Sequence, residues 1–181
     1  MLYTGNLKTR QNGICLEIIM DLRIRHADDR DLSTIVSLVR ATLQDMETVG
    51  GDPINQDKNF WKMYADTIVE LIRKDDRLYL LAQTGSRSIG FLEGNINNAP
   101  AVFALKTSFH LGVVYVVPKY RQRGIATALI QEALGWASEQ GCREADLNVL
   151  FNNAEANKLY KKLGFKVFQY ALRMNLPMTE Y

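Results

Sequence analysis

Cysteine is nearly missing from this chain. Cys15 and Cys142 are the only two among 181 residues, and they stand far apart. Their spacing fits neither a metal-binding nor a redox pair, and two residues are too few for a disulfide framework. Both read as small apolar filler in a reduced protein. Long hydrophobic runs are missing too: no stretch approaches the roughly 20 apolar residues that a membrane helix requires. The first twenty residues lack the basic start, apolar stretch and small-residue cleavage site of a secretory signal. A cytoplasmic protein with no membrane partner is therefore expected. One-sided charge is also absent. The formal net charge is +2, which exerts no strong pull toward nucleic acid.

What remains is the composition of an ordinary folded domain, 47% apolar and 23% charged, unlike that of a disordered chain. The length suits one domain with a full core. Residues 1–20 carry no clear period and read as a poorly ordered N-terminal extension, although 14–20 could add an edge strand. Residues 21–181 read as the domain. Leu22, Ile24 and His26 alternate with Arg23 and Arg25, as in a strand with one buried face. Asp28 and Asp29 mark a helix start, and Leu32, Ile35, Val36, Val39 and Leu43 follow at helical spacing. Gly50, Gly51 and Pro53 break that helix. A second begins near Asp57, with Trp61, Tyr64, Ala65, Ile68 and Ile72 on one face.

Three strands are expected over 78–82, 88–97 and within 104–117, with turns at Gly85 and near Asn98. The best-defined helix carries Ile125, Leu129, Ala133, Trp136 and Ala137 on its buried stripe and stops at Gly141. A strand over 145–150 follows. Asn153 then caps a short helix that ends at Gly164. A final strand is expected over 165–176. There is no repeat or linker. The fold class is α/β (α+β), a mixed, mostly antiparallel sheet with helices on both faces.

The sharpest feature is the segment 116–126, in which a strand gives way to a helix through basic residues and one glycine. The start of a helix presents unpaired N–H groups and the positive end of its dipole, a combination that binds phosphate. Gly124 lets the backbone approach an anion, and Ala126 keeps the first turn small beneath a diphosphate. Arg121 and Arg123 can add charge-assisted bonds. The segment has neither the Gly-Lys-Ser/Thr ending of a nucleotide P-loop nor a G-x-G-x-x-G pattern. A basic loop can also serve nucleic acid, but the weak overall charge and the lack of interleaved aromatics argue against that.

Arg121-x-x-Gly124-x-Ala126 resembles the Q/R-x-x-G-x-G/A signature of the GCN5-related N-acetyltransferases (GNAT). Downstream, an Asn, a helix with Ala156-x-x-x-Tyr160 and the closing pair Gly164-Phe165 are similar to that family's second motif. The resemblance is close from Leu111 to Phe165 and extends from Leu22 by element order. It implies a GNAT-like sheet whose two central strands splay near Val117. It implies acetyl-CoA as co-substrate and no metal. The coenzyme A diphosphate would lie on the loop Arg121, Gln122, Arg123, Gly124, Ile125 and Ala126. Val116 and Val117 would meet the pantetheine arm, Asn153 the cofactor, and Tyr160 the sulfur.

The chemistry then sets requirements. An amine must attack a thioester carbonyl, so a backbone N–H near Val116 or Val117 is an expected oxyanion donor. The departing thiolate needs a proton, for which Tyr160 is the candidate. The amine must lose one. Glu93 and His110 are both candidates for that base, and Tyr115 could also line the cleft. Asp45, Glu47, Asp52 and Asp57 cluster where the acceptor wall is expected, which would suit a cationic amine. The acceptor is expected to be an amine on a small molecule or peptide, attacking directly in a ternary complex. A homodimer is left open. The alternative is a non-catalytic acyl-CoA sensor.

Overall fold

Five strands and four helices form among the described residues, and the computed structural model describes residues 21–98 and 107–175. In chain order they are β1 (Leu22–His26), α1 (Leu32–Thr48), α2 (Lys58–Leu71), β2 (Arg77–Thr84), β3 (Arg87–Asn98), β4 (Thr107–Val116), α3 (Ile125–Glu139), β5 (Ala145–Leu147) and α4 (Ala154–Lys162). The 1–20 extension, its edge strand over 14–20 and the turn beyond Asn98 lie outside the described residues.

The sheet runs β1-β2-β3-β4-β5, antiparallel throughout except for the parallel β4–β5 pair. β2 is a continuous apolar run because both of its faces are covered. Leu78, Leu80 and Ala82 point one way and join Leu92, Phe109, Leu111, Leu129, Ile130 and Ala133 beneath α3. Tyr79 and Leu81 point the other way and join Phe91, Tyr115, Ile35, Val39, Trp61 and Ile68 beneath α1 and α2. The result is three layers with two cores.

Local chemistry sets the boundaries. Asp28 accepts from Arg30 N and Asp31 accepts from Asp28 N, a reciprocal cap that closes a short 3-10 turn before α1. Asp57 caps α2, accepting from Asn59 N at 2.9 Å. Gly141 takes φ 83° after α3, a left-handed geometry that glycine adopts without strain. Among the described residues, no helix is long and apolar enough to cross a membrane.

Two strand expectations need correction. The strand expected over 145–150 stops at Leu147. Residues 165–175 form no strand. Phe168, Tyr170, Leu172 and Met174 alternate as a strand would, yet all stand exposed. Alternation supplies β propensity, but a strand also needs a neighbour's hydrogen-bonding edge, and β5 does not pair with this segment.

Candidate active site

β4 outruns its parallel neighbour. Pairing with β5 covers only Phe109–Leu111 against Ala145–Leu147, while β4 continues to Val116. Residues 112–116 therefore have an open edge on the β5 side, so the strands part from Gly112 onward rather than near Val117. A bulge falls at the same point. Glu93 faces Val113 and Gly94 faces Leu111, leaving Gly112 as the extra residue.

Val117 N–H donates to Ile89 O at 3.0 Å and Val117 O accepts from Tyr120 N at 2.8 Å. Both of its backbone groups are thus engaged. Successive residues in a strand alternate their N–H direction, so Val116 N–H points to the open edge. The oxyanion-donor expectation narrows to Val116.

Beyond β4 the chain makes one 3-10 turn and enters α3 through Gly124 at φ 80°. Gln122 also has positive φ, at 59°. In the described structure the amides from Gln122 through Thr127 donate to no other residue, and no side chain caps the helix. Six converging amides at a helix start form an anion cradle. A Cβ at Gly124 would meet nothing within 4 Å, so the space above the loop is open. Arg123 packs over the Tyr120 ring, 5.8 Å from its centroid, with Nη1 buried and without a partner. An unsatisfied cation beside free amides fits a diphosphate. Arg121 is otherwise engaged. Its Nε donates to Val116 O at 2.9 Å, its Nη2 pairs with Asp45 on α1, and its guanidinium lies over Tyr115. These contacts tie α1 to the cradle.

Glu93 sits on the α2 side of the bulge. Its carboxylate leans onto Gly112 so closely that a Cβ there would lie 2.5 Å from Oε2. Only glycine leaves room for the carboxylate in this position. Burial pushes the Glu93 carboxyl above the ordinary carboxylate range, opposed by Arg77 and His110. Arg77 Nη1 is 3.7 Å from Oε1, a long pair. Burial raises the Tyr79 and Tyr64 phenols as well, with the Glu93 charge adding to both. His110 lies on the same face, with Nδ1 2.5 Å from Asp146 Oδ1 on β5. The sequence reading missed Asp146. Its one signal is a charged residue inside a three-residue strand, Ala145-Asp146-Leu147.

Tyr160 lies on the opposite face of the sheet. It packs against the core under α3 and meets Phe165 edge-on at 5.8 Å. Burial raises its phenol too, so it keeps its proton at neutral pH. Glu93 and Tyr160 thus lie on opposite faces of the sheet. Asn153 Oδ1 caps α4, accepting from Ala156 N at 3.2 Å. Asn157, also missed, fastens the preceding loop by donating to Leu150 O, Phe151 O and Asn153 O.

The acidic cluster expected to greet a cationic acceptor is occupied. Asp45 holds Arg121, Glu47 accepts from Ile54 N, Asp52 pairs with Arg173 at 2.6 Å, and Asp57 caps α2. Each has a structural partner, so the cluster carries no argument for a cationic substrate.

The acetyltransferase (GNAT) family model matches residues 35–165. An aminoglycoside N(6')-acetyltransferase type 1 of Salmonella typhimurium is 29% identical over 105 residues, covering 54% of this chain and 68% of that protein. An N-alpha-acetyltransferase of Sulfurisphaera tokodaii is 28% identical over 151 residues, covering 81% of each. Among solved structures, an aminoglycoside 6'-N-acetyltransferase of Acinetobacter baumannii aligns over 87% of this chain and 99% of its own, with 22% identity and a TM-score of 0.66. A predicted acetyltransferase of Clostridium acetobutylicum, solved with acetyl-CoA, aligns over 85% and 96%, with 19% identity and a TM-score of 0.70. At these identities the structures establish the shared fold. Since the family model spans most of the domain and both of its motifs, the chain belongs to the acetyltransferase (GNAT) family, as an acyl-CoA-dependent N-acyltransferase with acetyl-CoA as its co-substrate.

Proposed function

We propose that this enzyme transfers the acetyl group to a primary amine of a small molecule or peptide, by direct attack within a ternary complex. Glu93 is the general base and Tyr160 the general acid. The carrying observation is the Glu93 carboxylate resting on Gly112 where β4 leaves β5. An amine arriving at that point loses its proton to a carboxylate whose raised pKa suits it to act nearer neutral pH.

The other groups follow from their positions. The amides of 122–127, with Arg123, hold the diphosphate of acetyl-CoA. Val116 N–H donates to the carbonyl oxygen as charge builds on it. Tyr160 protonates the departing sulfur from the opposite face.

Aminoglycosides and peptide N-termini are both acceptor candidates, since relatives named for each chemistry match this chain. The test is a thiol-release assay with acetyl-CoA over aminoglycosides, polyamines and short peptides, with mass analysis of the product. Amine-dependent release with one N-acetyl group per thiol is expected. Coenzyme A binding without release for any amine would favour the sensor reading.

A further inference from the structure

A base that takes a proton at every turnover must release it. Glu93 is poorly placed to do so alone, with its side chain only 19% exposed. The groups facing it are Arg77 and Tyr79 from β2, Tyr64 from α2 and His110 from β4. Arg77 stays charged and accepts no proton. Burial holds the protons of Tyr64 and Tyr79 in place. That leaves His110.

His110 stands opposite Asn95, two residues from Glu93 on β3. The Glu93 carboxylate already leans onto Gly112, two residues from His110 on β4. Diagonal neighbours in a sheet lie within reach of long side chains. On its other side His110 is opposite Asp146, with Nδ1 to Oδ1 at 2.5 Å. That contact assigns the Nδ1 proton to the Asp146 bond and leaves Nε2 as the acceptor. The dyad opens outward, because Asp146 lies on the last strand of the sheet and its side chain is 33% exposed.

We propose that His110, oriented by Asp146, carries the proton from Glu93 to solvent. This rests on Glu93 being the base. The amine N–H proton first passes to a Glu93 oxygen. The Glu93 O–H then passes it through one bridging water to His110 Nε2, and Asp146 holds the resulting imidazolium through Nδ1–H. The imidazolium releases the proton to water, which restores Glu93 and His110, while Tyr160 regains from water the proton it gave to the sulfur. Asp146 is the positioning residue.

The test is kcat against buffer concentration and pH for His110→Ala and His110→Gln, with coenzyme A affinity and thermal melts as controls. Both variants should bind coenzyme A normally and lose about tenfold or more in kcat in dilute buffer. Added imidazole should restore His110→Ala. His110→Gln keeps a hydrogen bond to Asp146 but cannot carry the proton, so a purely structural histidine would tolerate it. Wild-type kcat for either variant in dilute buffer, or a loss in folded His110→Ala that imidazole leaves untouched, would overturn the relay. Glu93→Gln separates the two ideas. If it turns over normally, the base assignment fails and the relay with it. If it is inactive while both His110 variants are normal, only the relay fails.

Discussion

Gly112 is the residue on which the site's geometry turns. Its missing side chain makes room for Glu93, so Gly112→Ala should displace the carboxylate while leaving the cradle intact. A misplacement of about 1 Å can cost about 10²-fold, so a loss of that order in kcat with unchanged acetyl-CoA affinity is expected. Steady-state kinetics beside calorimetry would measure both. Tyr160→Phe keeps the ring against Phe165 and removes only the proton. It should lower kcat by about 10²-fold or more, with acetyl-CoA affinity near wild type. A wild-type rate with chemistry rate-limiting would make Tyr160 a packing residue, with water protonating the sulfur.

Glu93 also links activity to stability. Its folded pKa lies above the unfolded value because burial disfavours the charged form. The stability linked to this group is fully present below the unfolded pKa of about 4.3 and is lost as pH rises through the folded value. Glu93→Gln removes the buried charge, so it should melt above wild type at neutral pH. The gap should narrow as the solution is acidified toward that value. Melting curves for both proteins across that range would show the convergence, and a constant gap would mean that the charge is not the cause.

At the scale of elements, the cradle is a stretch of backbone more than a set of side chains. Gly124→Asp places a negative group on the amides proposed to receive the diphosphate. Coenzyme A affinity should fall about tenfold or more, equivalent to about 1.4 kcal/mol. Arg121→Ala should cost less affinity, because its guanidinium is held by Val116 O and Asp45. Titration calorimetry on the two variants ranks them, and the reverse order would mean that Arg121 leaves Asp45 for the phosphate.

The same contrast explains what the sequence could reveal. The cradle is contiguous, so its basic residues, glycine and following helix can be read along the chain. The β4–β5 gap depends on where β5 stops pairing, and nothing in the mixed pattern of 145–150 marks Leu147 as that point. The bulge at Gly112 breaks the period of two, which is why Glu93 and His110 could not be ranked. The acidic residues of the α1–α2 region looked free because two of their partners, Arg121 and Arg173, lie far along the chain. His110 was a visible candidate, but its contact with Asp146 needed the parallel register of β5.

At the scale of the whole molecule, the two cores put Tyr160 and Glu93, the proposed acid and base, on different faces of one sheet. The helices over each face bury the two groups separately, and the end of β4 lies between them, unpaired beyond β5's last residue. The C-terminal segment after Phe165 leaves its alternating apolar residues uncovered, tied to the α1–α2 loop through Arg173 and Asp52. The central claim is that proton removal at the bulge drives attack on the thioester. Its most direct test is the single-turnover rate of Glu93→Gln with saturating acetyl-CoA and the best amine acceptor. The variant should bind acetyl-CoA like the wild type and transfer acetyl about 10² to 10⁴-fold more slowly at neutral pH. Wild-type transfer by a folded Glu93→Gln enzyme, with chemistry limiting, would contradict it.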